Sequence, residues 1–331
     1  MIIFLVKLFI TLSLFFTLAA GKDNNWELYK FTSYFENDFY SYTDNQYTSG
    51  EKFTLTYYIP KSISSVFSLP LIEDSKIDTF VSISIANQIF TPSDTREIEL
   101  VINDRPYCGW SFLEAGIHKS SKESLSNIYL QIGMVGPASK SEKIQNGFHN
   151  LIRYRPTMGW SNQIKSELGI NLHLVNKWRF APKISDYFEN AFVPFIDGYL
   201  GNVSTLATIG LNIRLGWNIP KDFGVSTIDR GGESNIPIFN EHKNLHKKPW
   251  SFSFNLSGAK SAIVRDITLD GNTFKDSHSV KKNNFISYIG YGISLRYKSF
   301  IFDFMQTKNS KKFKYEKSSH TVGTLTLSWL F

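Results

Sequence analysis

The sequence predicts an all-β protein, a transmembrane antiparallel β-barrel of about 12 strands with a short helix in an extracellular loop. Apolar and polar residues alternate in segments of about ten residues, which suits strands with one face on lipid and the other on a polar lumen. Aromatic residues make up 15% of the chain, as expected where aromatic girdles mark the membrane interfaces. The last alternating segment ends on an aromatic residue, Phe331, as outer-membrane barrels commonly do.

The N-terminus has the pattern of an export signal. Residues 1–21 contain one cation, Lys7, an apolar stretch, and the small residues Ala19, Ala20 and Gly21, after which the chain becomes polar. The alternative is an N-terminal membrane anchor. We expect a cleaved signal peptide over residues 1–21 and one barrel domain over residues 22–331.

Charge and cysteine content narrow the class of protein. The formal net charge is +7, and in an exported protein this favours contact with phosphates on a membrane surface over nucleic acid. The single cysteine, Cys108, excludes an intramolecular disulfide. We expect a monomer in the outer membrane of a Gram-negative cell.

The alternating segments give approximate strand starts, and the segment from Trp250 is expected to run long. These starts are Glu27, Phe53, Thr79, Tyr107, Asn127, Gly169, Asp186, Val203, Trp250, Phe285, Phe300 and His320. Between residues 141 and 153 the spacing becomes helical, because Ile144, Phe148, Leu151 and Ile152 fall on one side of a helix.

The parity of the strands places three polar loops together. If the first strand rises from the periplasm, the loops 37–50, 89–106 and 136–166 all lie on the outer side. The same parity makes residues 218–249 a long connection on the inner side, where short turns are usual.

The first of these loops is rich in hard oxygen ligands. Asn37, Asp38, Asp44, Asn45 and Thr48 lie close together in sequence and could hold calcium. The alternative is that these are ordinary turn residues.

The third loop holds a histidine suited to general base catalysis. Gln145 and His149 lie at positions i and i+4 on one helix face, and an imidazole that titrates near neutrality can activate water. The alternative is an incidental surface histidine.

The second loop has two arginines that could bind phosphate. Arg96 and Arg105 carry guanidinium groups suited to bidentate contacts with phosphate oxygens. The alternative is that they pair with Asp94 and Asp104.

Ordered sequence blocks along the whole chain carry a family resemblance. The blocks are Glu36–Asp38, Tyr47–Gly50, Asn87–Asp94, Asp104–Trp110, Gly133–Pro137, Gln145–His149, Gly159–Trp160 and Arg265–Phe274. In these blocks the chain resembles the outer-membrane lipid A 3′-O-deacylase family of the LpxR type.

The resemblance implies a calcium-dependent ester hydrolase that removes the 3′-linked acyloxyacyl chain of lipid A in lipopolysaccharide. It implies that His149 activates water, that Asn37 and Asp38 help to hold the metal, and that Thr48 lines the site. Calcium would then stabilise the oxyanion of the tetrahedral intermediate.

Substrate contacts and departures from the family pattern concern a few further residues. Gln145 and Arg96 are the candidate substrate-binding residues, with Arg96 as a phosphate clamp. Ser49 stands where the family often has asparagine, and Cys108 replaces a small residue. Residues 153–155, Arg-Tyr-Arg, stand where some members carry a carboxylate soon after the histidine.

Two other functions are weighed against this one. An outer-membrane phospholipase of the serine-histidine type needs a His-x-Ser-Asn-Gly arrangement, which His278 and His320 lack. A non-catalytic barrel could serve as a pore or in surface interaction, although the lumen of a barrel of about a dozen strands is largely filled by side chains.

Overall fold

The fold is taken from a computed structural model that describes residues 26–38, 46–60, 77–228, 232–236 and 249–331. The predicted signal peptide, residues 1–21, lies outside the described residues, as do Asp44 and Asn45.

Twelve antiparallel strands form one closed barrel, which confirms the predicted fold class. The strands are β1 (Glu27–Asn37), β2 (Gln46–Ile59), β3 (Asp78–Thr91), β4 (Cys108–Ser120), β5 (Ser124–Val135), β6 (Glu167–Trp178), β7 (Glu189–Gly201), β8 (Ser204–Trp217), β9 (Trp250–Asp266), β10 (Phe285–Tyr297), β11 (Phe300–Asn309) and β12 (His320–Leu330). Two α-helices are described, α1 (Ser141–Leu151) and α2 (Ile267–Asp270), with short 3₁₀ turns at Gly136–Ser139 and Gly159–Asn162.

The barrel closes where β1 pairs with β12, with Lys30 opposite Leu330 and Asn37 opposite Gly323. We call the end at which β1 finishes the outer end, and the opposite end the inner end. The loops 92–107 and 136–166 lie at the outer end with the end of β1, as the strand parity predicted.

The predicted strand starts agree best where alternation is regular. Five strands begin at the predicted residues, Glu27, Trp250, Phe285, Phe300 and His320. The strand from Trp250 is 17 residues long, the longest of the twelve. The second strand begins at Gln46, well before the predicted Phe53, because polar residues continue the strand toward the outer end.

The outside of the barrel is an apolar belt with aromatic residues toward the inner end. Exposed leucines and isoleucines cover the middle of the strands, among them Leu130, Leu174 and Ile209. Exposed aromatic residues gather at the inner end, as expected for an interfacial girdle. They include Trp178, Trp217, Trp250, Tyr297 and Trp329. Among the described residues, none of the helices has the length and apolarity required to cross a membrane.

The lumen is packed with polar side chains, many of which pair with one another. Lys52 and Glu114 form an ion pair at 2.5 Å, and the hydroxyls of Thr32 and Ser328 are hydrogen-bonded at 3.0 Å. These residues alternate with the lipid-facing residues of the same strands.

The connection between β8 and β9 folds back into the lumen. Its described parts, residues 219–228 and 232–236, are called here the inner segment. Glu233 of this segment forms an ion pair with Lys30 at 2.7 Å, and its carbonyl oxygen accepts a hydrogen bond from Asn127 at 2.8 Å. The connection is longer than a periplasmic turn because its described parts lie inside the barrel.

Candidate active site

Helix α1 lies against the outside of the barrel wall. In β4 the exposed Leu113 faces lipid, so Ser111, two residues earlier, shares that face, and Asn87 of β3 is paired with Ser111. The amide nitrogen of Asn87 donates to Ser111 Oγ and to Ser141 Oγ, both at 2.7 Å. Because Ser141 begins α1, the helix starts on the lipid-facing side of β3 and β4.

A glycine lets the helix approach the wall closely. A Cβ atom at Gly109 of β4 would lie 2.1 Å from Ser141 Oγ and 2.3 Å from Ser139 Oγ. Both contacts are far shorter than any real side-chain contact, so only glycine fits under the start of α1.

An apolar cluster anchors the helix and the segment that follows it. Ile89, Tyr107 and Trp160 are buried together, and Ile144 of α1 packs against them. The rings of Tyr107 and Trp160 lie 4.9 Å apart. The helix and the segment after it are therefore held against the wall at the outer end.

Polar residues lie on this outer face at positions where lipid-facing residues are expected. Asn37 is paired with Ser49, and Glu51 is paired with Asn87. Asn87 is more than nine-tenths buried, and Glu51 is partly buried, with its carboxylate oxygen Oε2 inaccessible to solvent. A buried polar row on a lipid-facing surface indicates a functional site.

Thr48 reaches the same face through a β-bulge. The register between β2 and β3 shifts between Tyr47 and Ser49, which leaves Thr48 in the bulge. Its hydroxyl is hydrogen-bonded to the hydroxyl of Thr91 at 2.7 Å, and both side chains are buried. Bulges are common beside active sites because they redirect a side chain.

His149 is held in a geometry suited to a general base. Its Nδ1–H donates to the carbonyl oxygen of Arg155 at 2.7 Å, and this fixes the tautomer of the neutral ring. Nε2 then carries the lone pair and has no hydrogen-bond partner among the described residues. The ring of Tyr154 packs edge-on at 5.0 Å.

A turn after α1 brings the Arg155 carbonyl to His149. Arg153 adopts a left-handed conformation with φ of 57°, and the amide of Tyr154 donates to the carbonyl of His149 at 2.7 Å. The backbone of residues 153–155 thus supplies the orienting acceptor that a carboxylate supplies in other histidine sites.

Gln145 lies one turn before His149 and is also buried. Its carbonyl oxygen accepts from Trp160 Nε1 at 2.9 Å and from the Thr157 hydroxyl at 3.2 Å. Its amide nitrogen is buried and has no hydrogen-bond partner among the described residues. A buried donor without a partner is available to a bound ligand.

The end of β1 contributes Asn37 and Asp38 to the outer end. Asp38 directly follows the strand and is only 1% exposed. The structure therefore places Asp38 and His149 at the same end of the barrel.

The oxygens on this face fit a hard cation. Oε2 of Glu51 and Oδ1 of Asn87 are buried without a hydrogen-bond partner, and buried carboxylate oxygens are costly unless a charge or donor meets them. Together with Asp38, Asn37 and Thr48 they make an oxygen-rich donor set of the kind calcium prefers. In the described part of the chain, no three residues of the types His, Cys, Asp and Glu lie close enough together to hold a metal ion. A calcium site would therefore also use amide and hydroxyl oxygens.

The two arginines lie apart from this buried space. Arg96 is exposed and bonded to Asp94, and the hydrogen bond from its backbone amide is the main cause that holds the pKa of Asp94 below its ordinary value. Arg105 is buried over the ring of Phe90 and donates to Thr268 Oγ1. Phe90 belongs to the lumen-side cluster, so Arg105 lies on the other side of the wall.

A lumen carboxylate supports the wall behind the site. Glu36, next to Asn37, accepts hydrogen bonds from the Tyr47 hydroxyl at 2.7 Å and from the backbone amide of Ile228 at 2.8 Å. Ile228 belongs to the inner segment, so this segment reaches from the inner end to the residue beside the site.

Sequence reasoning missed Glu51 and Asn87, although a signal for both exists. Glu51 is in phase with the lipid-facing Phe53 and Leu55, and Asn87 is in phase with Ile85. A carboxylate or amide in the lipid-facing phase of a barrel strand is unfavourable, which marks both positions as functional candidates.

The fold and this site define a class of protein, an outer-membrane β-barrel with a buried polar site on the lipid-facing side of its wall. The sequence model of a family described as outer membrane protein LpxR matches residues 6–331, and the chain belongs to this family. No curated protein sequence matches the chain.

One solved structure agrees with this assignment at the level of the fold. LpxR from Salmonella typhimurium superposes with a TM-score of 0.72 at 17% identity, over 91% of this chain and all of that one. The β domain of the Bordetella autotransporter BrkA is a more distant barrel, with a TM-score of 0.44 at 6% identity, over 92% of this chain and 97% of that one.

Proposed function

We propose that the protein is a calcium-dependent lipid A 3′-O-deacylase that hydrolyses the ester of the 3′-linked acyloxyacyl chain of lipopolysaccharide. The observation that carries the proposal is the covered polar site between α1 and the outer face of the wall, with His149 Nε2 free to accept a proton. A site on this face is open to a lipid that stays in the outer leaflet. Membership of the LpxR family supports the same class of reaction.

The hydrolytic step follows from the tautomer of His149. Nε2 takes a proton from a water molecule, and the resulting hydroxide attacks the ester carbonyl. As the tetrahedral intermediate collapses, the protonated ring returns its proton to the departing sugar oxygen. The products are a free fatty acid and a 3′-hydroxyl, and His149 ends in its starting state.

Asn37, Asp38, Thr48 and Glu51 are the residues that would hold calcium. Bound there, calcium supplies positive charge for the oxyanion of the intermediate. Glu51 contributes a buried carboxylate, and Thr48 is fixed by its hydrogen bond to Thr91.

Gln145 and Arg96 would bind the substrate in different places. The buried amide nitrogen of Gln145 is a donor for a substrate oxygen near His149. Arg96 is exposed at the rim, where its guanidinium can meet a phosphate of the sugar headgroup.

The test is incubation of the protein with lipopolysaccharide in the presence of calcium or of a calcium chelator, followed by mass analysis of the lipid. We expect release of the 3′-linked chain only with calcium. Release of phospholipid fatty acids, which lack the hydroxyl of lipid A chains, would identify a phospholipase. Absence of any released chain from the folded protein would contradict the proposal.

A further inference from the structure

Helix α1 exposes two large apolar side chains beside its buried polar residues. Ser141, Gln145 and His149 are polar and buried against the wall. A helix on a protein surface normally directs polar residues to solvent and apolar residues to the core. Phe148 and Leu151 depart from this pattern, because both are exposed, although the other exposed positions of the helix are not apolar.

Exposed apolar residues at the end of α1 and in the segment that follows it are called here the outward face. They are 49 to 75% exposed, although each is a large apolar or aromatic residue. Exposed apolar surface of this kind marks a place where a membrane or another molecule binds. The outward face consists of Phe148, Leu151, Ile152, Tyr154 and Met158.

Basic residues border the outward face. Lys140, Lys143, Arg153 and Arg155 are exposed, and Glu142 is the single acidic residue between positions 140 and 158. None of the four makes an ion pair with another residue in the described ranges. Apolar residues flanked by unpaired cations are typical of helices that lie in the interface of an anionic membrane.

The place of the helix fits this interface. Ser111, which contacts the start of α1 through Asn87, is paired with Met134, and Met134 is paired with the exposed Leu168. The helix therefore starts beside the outer edge of the apolar belt. In a barrel that spans a membrane, this is the level at which acyl chains meet charged headgroups.

We propose that α1 is an interfacial helix whose outward face binds the acyl chains of lipopolysaccharide while Lys143 and Arg153 bind its phosphates. This inference rests on the proposed function, which assigns the site to the outer leaflet. It adds the lipid surface on which the site acts. The single occupant is lipopolysaccharide, an anionic lipid, because the face combines large apolar side chains with unpaired positive charge.

The test uses an environment-sensitive dye on the full chain. Leu151→Cys supplies the label position, and the native Cys108 is fully buried and does not compete. Ser318→Cys, exposed in the β11–β12 loop at the same end, is the matched control. Both proteins are folded into phosphatidylcholine vesicles with and without lipopolysaccharide.

We expect a blue shift of the dye at position 151 when lipopolysaccharide is present and no shift at position 318. Lys143→Ala with Arg153→Ala should reduce that shift at least by half, and high salt should do the same. An unshifted dye at position 151, or an equal shift in phosphatidylcholine alone, would overturn the proposal.

A kinetic measurement separates this proposal from the proposed function. Leu151→Ser with Ile152→Ser should raise KM for lipopolysaccharide in vesicles by about tenfold, since two apolar contacts are lost, and leave kcat unchanged. Acyl release without the dye shift would defeat the interfacial helix alone. A dye shift without acyl release would defeat the deacylase and leave the interfacial helix standing.

Discussion

The two faces of the same wall, at the outer ends of β1 to β4, carry polar groups of different kinds. On the lumen face Lys52 pairs with Glu114, and Glu36 accepts from Tyr47. On the outer face the carboxylate oxygen Oε2 of Glu51 is buried without a hydrogen-bond partner. Polar groups that satisfy one another stabilise a fold, whereas buried groups left with unused capacity indicate a site for a ligand.

The histidines show the same contrast. His118 faces the lumen, and its two ring nitrogens are bonded to Asn127 at 3.1 Å and Ser82 at 2.8 Å. His149 is bonded through Nδ1 only. A histidine ring that is hydrogen-bonded at both nitrogens has a structural role. A ring that is hydrogen-bonded at one nitrogen can still exchange a proton at the other.

The largest expected effect tests this contrast between histidines. His149→Ala should lower the rate of acyl release by about a thousandfold, because the general base is lost, with little change in unfolding temperature. His118→Ala should lower the unfolding temperature and leave the rate of the folded protein intact. Equal rates of acyl release in the two variants would contradict this contrast between the histidines.

The buried ion pair of the lumen should govern stability. Lys30→Met leaves the Glu233 carboxylate unpaired in the lumen and should cost about 3–5 kcal/mol of unfolding free energy. Adding Glu233→Gln should recover part of that loss. Denaturant unfolding followed by electrophoretic mobility measures both, and a larger loss in the double variant would contradict the assignment.

A smaller effect is expected at the outer-face carboxylate. Glu51→Gln should weaken calcium binding by about tenfold, because a charged ligand becomes neutral. Glu114→Gln is the matched variant on the lumen face and should leave calcium binding unchanged. Titration of calcium into the folded protein distinguishes them, and unchanged affinity in Glu51→Gln would remove this residue from the metal site.

The smallest effect concerns Glu316 in the β11–β12 loop. Burial raises the pKa of Glu316, so the folded state binds its proton more tightly than the unfolded state. Its contribution to stability is therefore present in acid and is lost as the pH rises through the folded pKa. Glu316→Gln should be slightly more stable than the native chain at neutral pH and equal to it in acid, as measured by thermal unfolding. A variant less stable at neutral pH would contradict this sign.

Much of the barrel could be predicted because its signals are local. The alternation of apolar and polar residues in segments such as residues 289–297 shows which side of each strand faces lipid. Strands with regular alternation therefore began at the predicted residues. The start of β2 was misplaced because residues 46–52 carry the polar groups of the site, and these interrupt the lipid-facing pattern.

The candidate site was only partly accessible from the sequence. His149, Gln145 and Asp38 were found by residue type and by resemblance. The bulge that redirects Thr48 depends on pairing with β3, and the carbonyl of Arg155 that orients His149 depends on the turn at Arg153. The types of the residues involved predict neither the bulge nor the turn.

The sequence by itself determined the barrel, the approximate number of its strands and the end at which the candidate site residues lie. Only the tertiary structure decided that the candidate site lies on the lipid-facing side of the wall, beneath α1, and that the inner segment lies in the lumen. The physical reason is that alternation along a strand is encoded residue by residue, whereas the packing of a loop on one face or the other is decided by contacts between distant parts of the chain.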